Sequence, residues 1–239
     1  MASDVCLLLE GTYPYVSGGV SSWVHQLIKG LPDIRFSLAF IGSTDVANRE
    51  VKYSIPSNVV EMREVYLRAG LKKPKKPPAE LPPESWELVG RFIAGMRRND
   101  YSLFRQIATE LLVPGKVDMQ GMFFGTDAWR FVTGEYTSQM QNPSFIDYFW
   151  VWRFMHMPIV RVMSANIPRA RCYHALSTGY AGLMGAAASV RTGAPLVLTE
   201  HGIYNKERQI EISQADWIFQ SEDKELDYEK KERYFKNWW

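Results

Sequence analysis

Cysteine and histidine are scarce. The 239 residues hold two cysteines, Cys6 and Cys172, and four histidines. Two thiols cannot staple a small secreted scaffold, and both lie in apolar, strand-like runs. They read as buried, reduced thiols of a reducing compartment. No Cys/His spacing suits a structural zinc site, and no Asp-x-Asp pair offers a metal carboxylate site, so no metal is expected. An excess of one charge is also missing. Lys plus Arg number 28 against 26 Asp plus Glu, a net charge of +2, which gives no reason to expect nucleic acid as a ligand. A long clean apolar run is absent too. Val5–Leu9 is too short for a signal core, and Asp4 stands where a signal peptide would carry positive charge. Phe145–Ala165 is interrupted by Asp147, Arg153, His156, Pro158 and Arg161. Its apolar residues at 145, 148, 149, 152, 155, 159 and 163 instead mark one helix face, which Pro158 is expected to kink or split.

What is present reads as α/β. Val5–Leu9 is a continuous apolar run closed by Glu10-Gly11, as in a strand buried on both faces of a parallel sheet. Val20–Lys29 follows as a helix with Val20, Trp23, Val24, Leu27 and Ile28 on one face, and Gly30 and Pro32 end it. Phe36–Ile41 is a second strand and Val59–Leu67 a third, completing a βαβ pattern. Leu71–Pro78 carries four lysines among prolines and is irregular, either a solvated loop or a basic docking patch. Helices are predicted over Glu84–Arg98, Tyr101–Val113, Asp127–Met140 and the aromatic stretch, a helical insertion at about 84–165. The α/β pattern resumes with a strand at Arg171–Leu176, a helix at Gly179–Val190 and a buried strand at Pro195–Thr199. Glu207–Gln220 and the charged run from Glu222 read as helices, and the Trp238-Trp239 ending reads as a cut inside one.

Ligands of open α/β sheets bind beyond the carboxyl ends of the strands. Three loops qualify: Glu10–Gly19, Ser177–Tyr180 and Glu200–Arg208. In the first, Gly18-Gly19 would let the backbone approach an anion such as a diphosphate at a helix N-terminus. The dinucleotide fingerprint and the Walker A motif are both missing, which disfavours a nicotinamide enzyme. Gly182 and Gly185 have the spacing of close helix packing. The second loop follows His174, which reads either as a satisfied core residue or as a site residue, and Ser177 or Thr178 is expected to cap the next helix. In the third, Glu200, His201 and Tyr204 crowd together after a strand. Glu207 and Arg208 come one turn later, as site groups or as a capped helix start.

The run from Asp4 to Ile28, with Glu10-Gly11-Thr12-Tyr13-Pro14-Tyr15 and Ser17-Gly18-Gly19 at its heart, resembles the opening of the PelF family. Two further blocks, His174–Tyr180 and Leu198–Tyr204 with Glu207-Arg208 and Gln214–Trp217, are similar to blocks of the same family. These are retaining family 4 glycosyltransferases of Pel exopolysaccharide synthesis. The resemblance implies a GT-B enzyme of two Rossmann-like domains, with this chain as the N-terminal, acceptor-side domain. No glutamate has another eight positions later, so the donor-domain motif, and with it the C-terminal donor domain, is expected to be absent from this chain. The implied donor is a UDP-hexose or UDP-N-acetylhexosamine, with no further cofactor, and the acceptor is a growing polysaccharide. His201 would be the catalytic residue. Gly18, Gly19, His174, Thr178, Glu200, Tyr204 and Arg208 would bind substrate. The implied location is cytoplasmic, peripheral to the inner membrane through partner proteins of the synthesis machinery, and this chain alone would not turn over. The rival reading is a non-catalytic module docking onto membrane subunits of a polysaccharide synthase.

Overall fold

A computed structural model describes residues 2–45, 49–68, 74–139 and 144–202. Among the described residues, five strands form one parallel sheet in the order β3-β2-β1-β4-β5. They are β1 (Ser3–Glu10), β2 (Phe36–Gly42), β3 (Val59–Tyr66), β4 (Ala170–Ala175) and β5 (Leu196–Leu198). The fold is α/β and Rossmann-like. Leu7 lies opposite Leu38 of β2 and His174 of β4, so β1 is the central strand. Its apolar run is continuous because both faces are covered. Leu7 and Leu9 pack with Val24 and Ile28 of α1 (Gly19–Gly30) and with Phe36 and Leu38. Cys6 and Leu8 face the other way, against Ala181, Met184 and Ala188 of α7 (Tyr180–Thr192) and against Val162. α7 ends at Gly193, whose φ of 76° is the left-handed form that glycine adopts without strain, and whose N–H bonds the Ser189 carbonyl at 2.8 Å.

The chain divides into two compact units. The described parts of the sheet unit are in Met1–Gly70, Leu112–Val117 and Met157–Gly202. The described parts of the helical unit are in Leu71–Leu111 and Asp118–His156. It contains α2 (Pro83–Met96), α3 (Phe104–Gln106) running into a π-helical turn (Ile107–Leu111), α4 (Met119–Phe124), α5 (Thr126–Gln139) and the first part of α6 (Phe145–Met163). Its interior is aromatic: Trp86 meets Phe131 at 5.2 Å, and Phe123 and Phe131 both meet Trp152. Residues 74–82 have no regular structure, and they end in a cap. The Glu80 carboxylate accepts the first-turn N–H groups of Thr126 (2.7 Å) and Asp127 (3.2 Å), which lowers its pKa.

Several expectations need correcting. Of the kink or split expected at Pro158, the split does not occur: α6 is one helix, because a single missing donor costs one rung of a ladder held on either side. The helix expected over Tyr101–Val113 is a short α-turn followed by a π-turn, and α4 was not anticipated. β5 is three residues long and is not buried. Val197 and Leu198 are 46% and 47% exposed, because the strand stands at the sheet edge. Cys6 is buried and Cys172 only half-buried, and both thiols are free. The helices expected after Glu207 lie outside the described residues.

Candidate functional site

β1, β4 and β5 end side by side at the carboxyl edge of the sheet. The connection from β1 runs through α1 to β2 on one side, whereas β4 pairs with β1 on the other. The order therefore reverses between β1 and β4, and the helices following them lie on opposite faces. This is the switch point at which such sheets open a crevice.

Glu10 closes β1. Its carboxylate accepts the Ser177 hydroxyl at 3.1 Å and the Ala181 N–H, in the first turn of α7, at 3.3 Å. The expected cap from Ser177 or Thr178 is thus supplied from β1 instead. Gly179 occupies the cap position and supplies no side-chain cap. The reason is geometric: a carboxylate arriving from the neighbouring strand reaches the positive helix end better than a hydroxyl preceding it. Thr178 is left to donate to Glu200 Oε1 at 2.9 Å.

His174 is half-buried on β4, and its Nε2 lies 2.8 Å from the Thr199 hydroxyl, with donor and acceptor set by the tautomer. Burial lowers its pKa, and the neighbouring His201 lowers it further, which favours the neutral imidazole. It is therefore both a satisfied residue and a member of the site. Trp23 ties the two imidazoles together. Its ring centre is 6.2 Å from His174, at 88° between planes, and 5.1 Å from His201, at 69°. His201 itself is exposed.

Gly18 and Gly19 open α1. Gly19 lies one turn before Trp23 on the same helix face. Gly18 has φ 170°, an extended value open to any residue. A Cβ built on either glycine meets nothing within 4 Å. Neither torsion nor packing requires glycine here.

The structure thus gathers His174, Thr178, Glu200 and His201 at one edge and sets Gly18-Gly19 at the start of the helix that reaches them through Trp23. Tyr204 and Arg208 lie outside the described residues. Sequence reasoning placed Trp23 on the apolar face of α1, where it does pack against the core, and Glu10 at the head of a candidate loop, but it missed the contact of Trp23 with the imidazoles and the grip of Glu10 on α7. An acid terminating an apolar strand at the first βα turn was the available signal. A shallow depression lined by Ala2, Glu61, Arg63 and residues 166–169 lies away from these groups, and its Glu61 and Arg63 pair with each other at 2.7 Å. Among the described residues, no group of three or more His, Cys, Asp or Glu side chains could hold a metal ion, and no helix is long and apolar enough to cross a membrane.

No curated protein and no solved structure matches the chain. The model of a family described as a domain of unknown function, DUF3492, matches residues 3–239. With nearly its whole length matched, the chain belongs to the DUF3492 family.

Proposed function

We propose that this chain is the acceptor-side, Rossmann-like part of a retaining GT-B glycosyltransferase of the PelF type, transferring a hexose or N-acetylhexosamine from a UDP-sugar to a growing exopolysaccharide. The observation that carries the reading is the pair Gly18-Gly19. Two glycines that the chain itself does not need stand at a helix N-terminus, one turn from an indole that contacts both imidazoles of the carboxyl edge. A backbone free of side chains, with a positive helix end, suits a diphosphate. An exposed imidazole beside it suits the sugar being transferred. The protein's contribution is then positioning and stabilisation of the departing phosphate, with the leaving diphosphate taking the acceptor proton. The donor nucleotide is held by a second domain facing this one, so the 239-residue chain alone does not turn over. The enzyme works in the cytoplasm and meets the inner membrane through its partner proteins.

The test is His201→Ala in the complete transferase. One preorganised donor lost from the transition state costs about 2–4 kcal/mol of barrier, with thermal stability unchanged. UDP release from UDP-sugars measures the first and thermal unfolding the second. A destabilised but fully active variant returns His201 to a structural role.

The rival reading, a docking module, draws on the helical unit. Trp129, Ile146 and Trp150 are 50%, 66% and 60% exposed there. Trp129 and Trp150 are joined through Phe149, which lies 5.7 Å from one and 5.4 Å from the other. Contiguous exposed aromatics of this kind favour a protein partner.

A further inference from the structure

The loop Glu10–Gly19 is held from one side by residues of β2, β3 and the segment 49–53. Tyr15, Phe40 and Tyr66 form a three-ring box. The guanidinium carbon of Arg49 stands 5.4, 5.1 and 5.6 Å from their ring centres. The Tyr15 and Tyr66 hydroxyls both donate to the carboxylate of Glu64. Gly42 makes room for this box, because a Cβ there would lie 2.9 Å from both Phe40 Cε1 and Tyr66 Cε1. The same segment continues the grip. The Lys52 N–H donates to the Pro14 carbonyl at 2.9 Å. Tyr53 meets the ring of Tyr13 at 5.1 Å and lies 3.3 Å, hydroxyl to hydroxyl, from Ser22 of α1.

Three successive loop residues, Tyr13, Pro14 and Tyr15, are therefore each gripped by residues 49–53, two to four positions before Ser17-Gly18-Gly19. A loop ending in paired glycines carries unusual conformational freedom, and ordering it on ligand binding would cost affinity. We infer that residues 49–53, keyed by Arg49 in its aromatic box, are a brace that sets the Gly18-Gly19 loop in its ligand-ready shape before the ligand arrives. Arg49 is a positioning residue in this scheme: it acts through Tyr15 and touches no substrate. The inference rests on Gly18-Gly19 being the ligand-approach loop proposed above.

The test begins without a ligand. Amide hydrogen exchange in the 239-residue chain follows Tyr15, Val16, Ser22 and Lys52, whose N–H groups bond within or onto the loop. Loss of the cation from three rings in Arg49→Ala is expected to speed their exchange about tenfold. Leu7 and Leu38 in the sheet should hold their rates. Arg49→Lys, or millimolar methylguanidinium added to Arg49→Ala, should restore slow exchange. Glu64→Gln, an exposed change that spares folding, should speed Tyr15 and Val16 in the same direction. Unchanged loop exchange in both Arg49→Ala and Glu64→Gln overturns the brace. In the complete transferase, Arg49→Ala should raise KM for the UDP-sugar about tenfold and leave kcat within about twofold. Loosened exchange with an unaltered KM overturns the positioning role. Failure of the transferase reading itself would appear separately, as absence of transfer by the wild-type enzyme while the exchange results stand.

Discussion

At position 19 the absence of a side chain is not explained by the protein's own geometry. Gly19 is the first residue of α1 and has open space where a Cβ would be. Alanine is the better helix former there, so Gly19→Ala should leave stability within about 0.5 kcal/mol by urea denaturation. On the proposed transferase reading, the same substitution in the complete enzyme should nonetheless lower UDP-sugar affinity, because a methyl group would then stand between the backbone and the diphosphate. Equal affinity in an equally stable variant would remove the ligand argument from this loop. The two thiols supply the matching residue-scale contrast. Burial pushes the Cys6 thiol up to about 12, while Cys172 is only half-buried. A thiol reagent should therefore label Cys172 first in the folded chain, and both after denaturation. The sequence marked both cysteines as free but ranked them alike. The neighbours of Cys172, Arg171 and Tyr173, do not reveal that β4 lies beside an exposed edge strand. His174 shows the same limit: its residue type and strand were legible, but its hydroxyl partner, 25 positions away at Thr199, was not.

Elements were more legible than their neighbours. Sequence pattern located α1, β1, β2, β3 and β4 within a residue or two; α1, β1 and β2 carry a dense apolar core stripe, whereas β3 has no buried residue and β4 has two. It failed between 101 and 124, where polar and apolar residues alternate without a clean helical period and the chain forms a π-turn and a short helix. The Gly182/Gly185 spacing was read as a packing device, and Gly185 fits that use. Its missing Cβ would lie 2.6 Å from Leu196 Cδ1 and 2.9 Å from Leu8 Cδ1, where α7 crosses β1 and β5. Gly185→Ala gains helix propensity of about 1 kcal/mol. Against that stands overpacking against Leu8, which is wholly buried. We expect a net loss of about 1–2 kcal/mol in urea unfolding. A more stable variant would show that Leu196, on the open edge strand, swings aside freely, and that α7 does not depend on this contact.

For the whole molecule, the reversal of strand order between β1 and β4 could not be read from the sequence. A parallel sheet was predictable from the alternation of strands and helices, but strand order is a matter of long-range pairing. It is nevertheless what brings Glu10 to Ser177 and Ala181, some 170 residues apart in the chain. Two compact units with separate cores also mean that unfolding need not be a single transition. Acid offers a way to probe the helical one. His156 stacks on Trp152 at 4.7 Å, and its Nδ1 lies 2.7 Å from the Trp152 carbonyl. Burial pushes its pKa down from 6.5 to about 4, and the Arg97 charge pushes the same way against that hydrogen bond. Between those two values the unfolded chain binds a proton that the folded unit refuses. Stability therefore rises with pH across the window and is lost as pH falls from about 6.5 towards 4, with no contribution from His156 above it. Urea midpoints followed by helical circular dichroism at several pH values should show this slope. His156→Phe keeps a flat ring on Trp152 but has nothing to titrate, while every carboxylate stays as it was. Its midpoint should fall less steeply than the wild type's through the same window. Parallel pH profiles for the two proteins would mean that His156 accepts its proton in the folded state as readily as in the unfolded one.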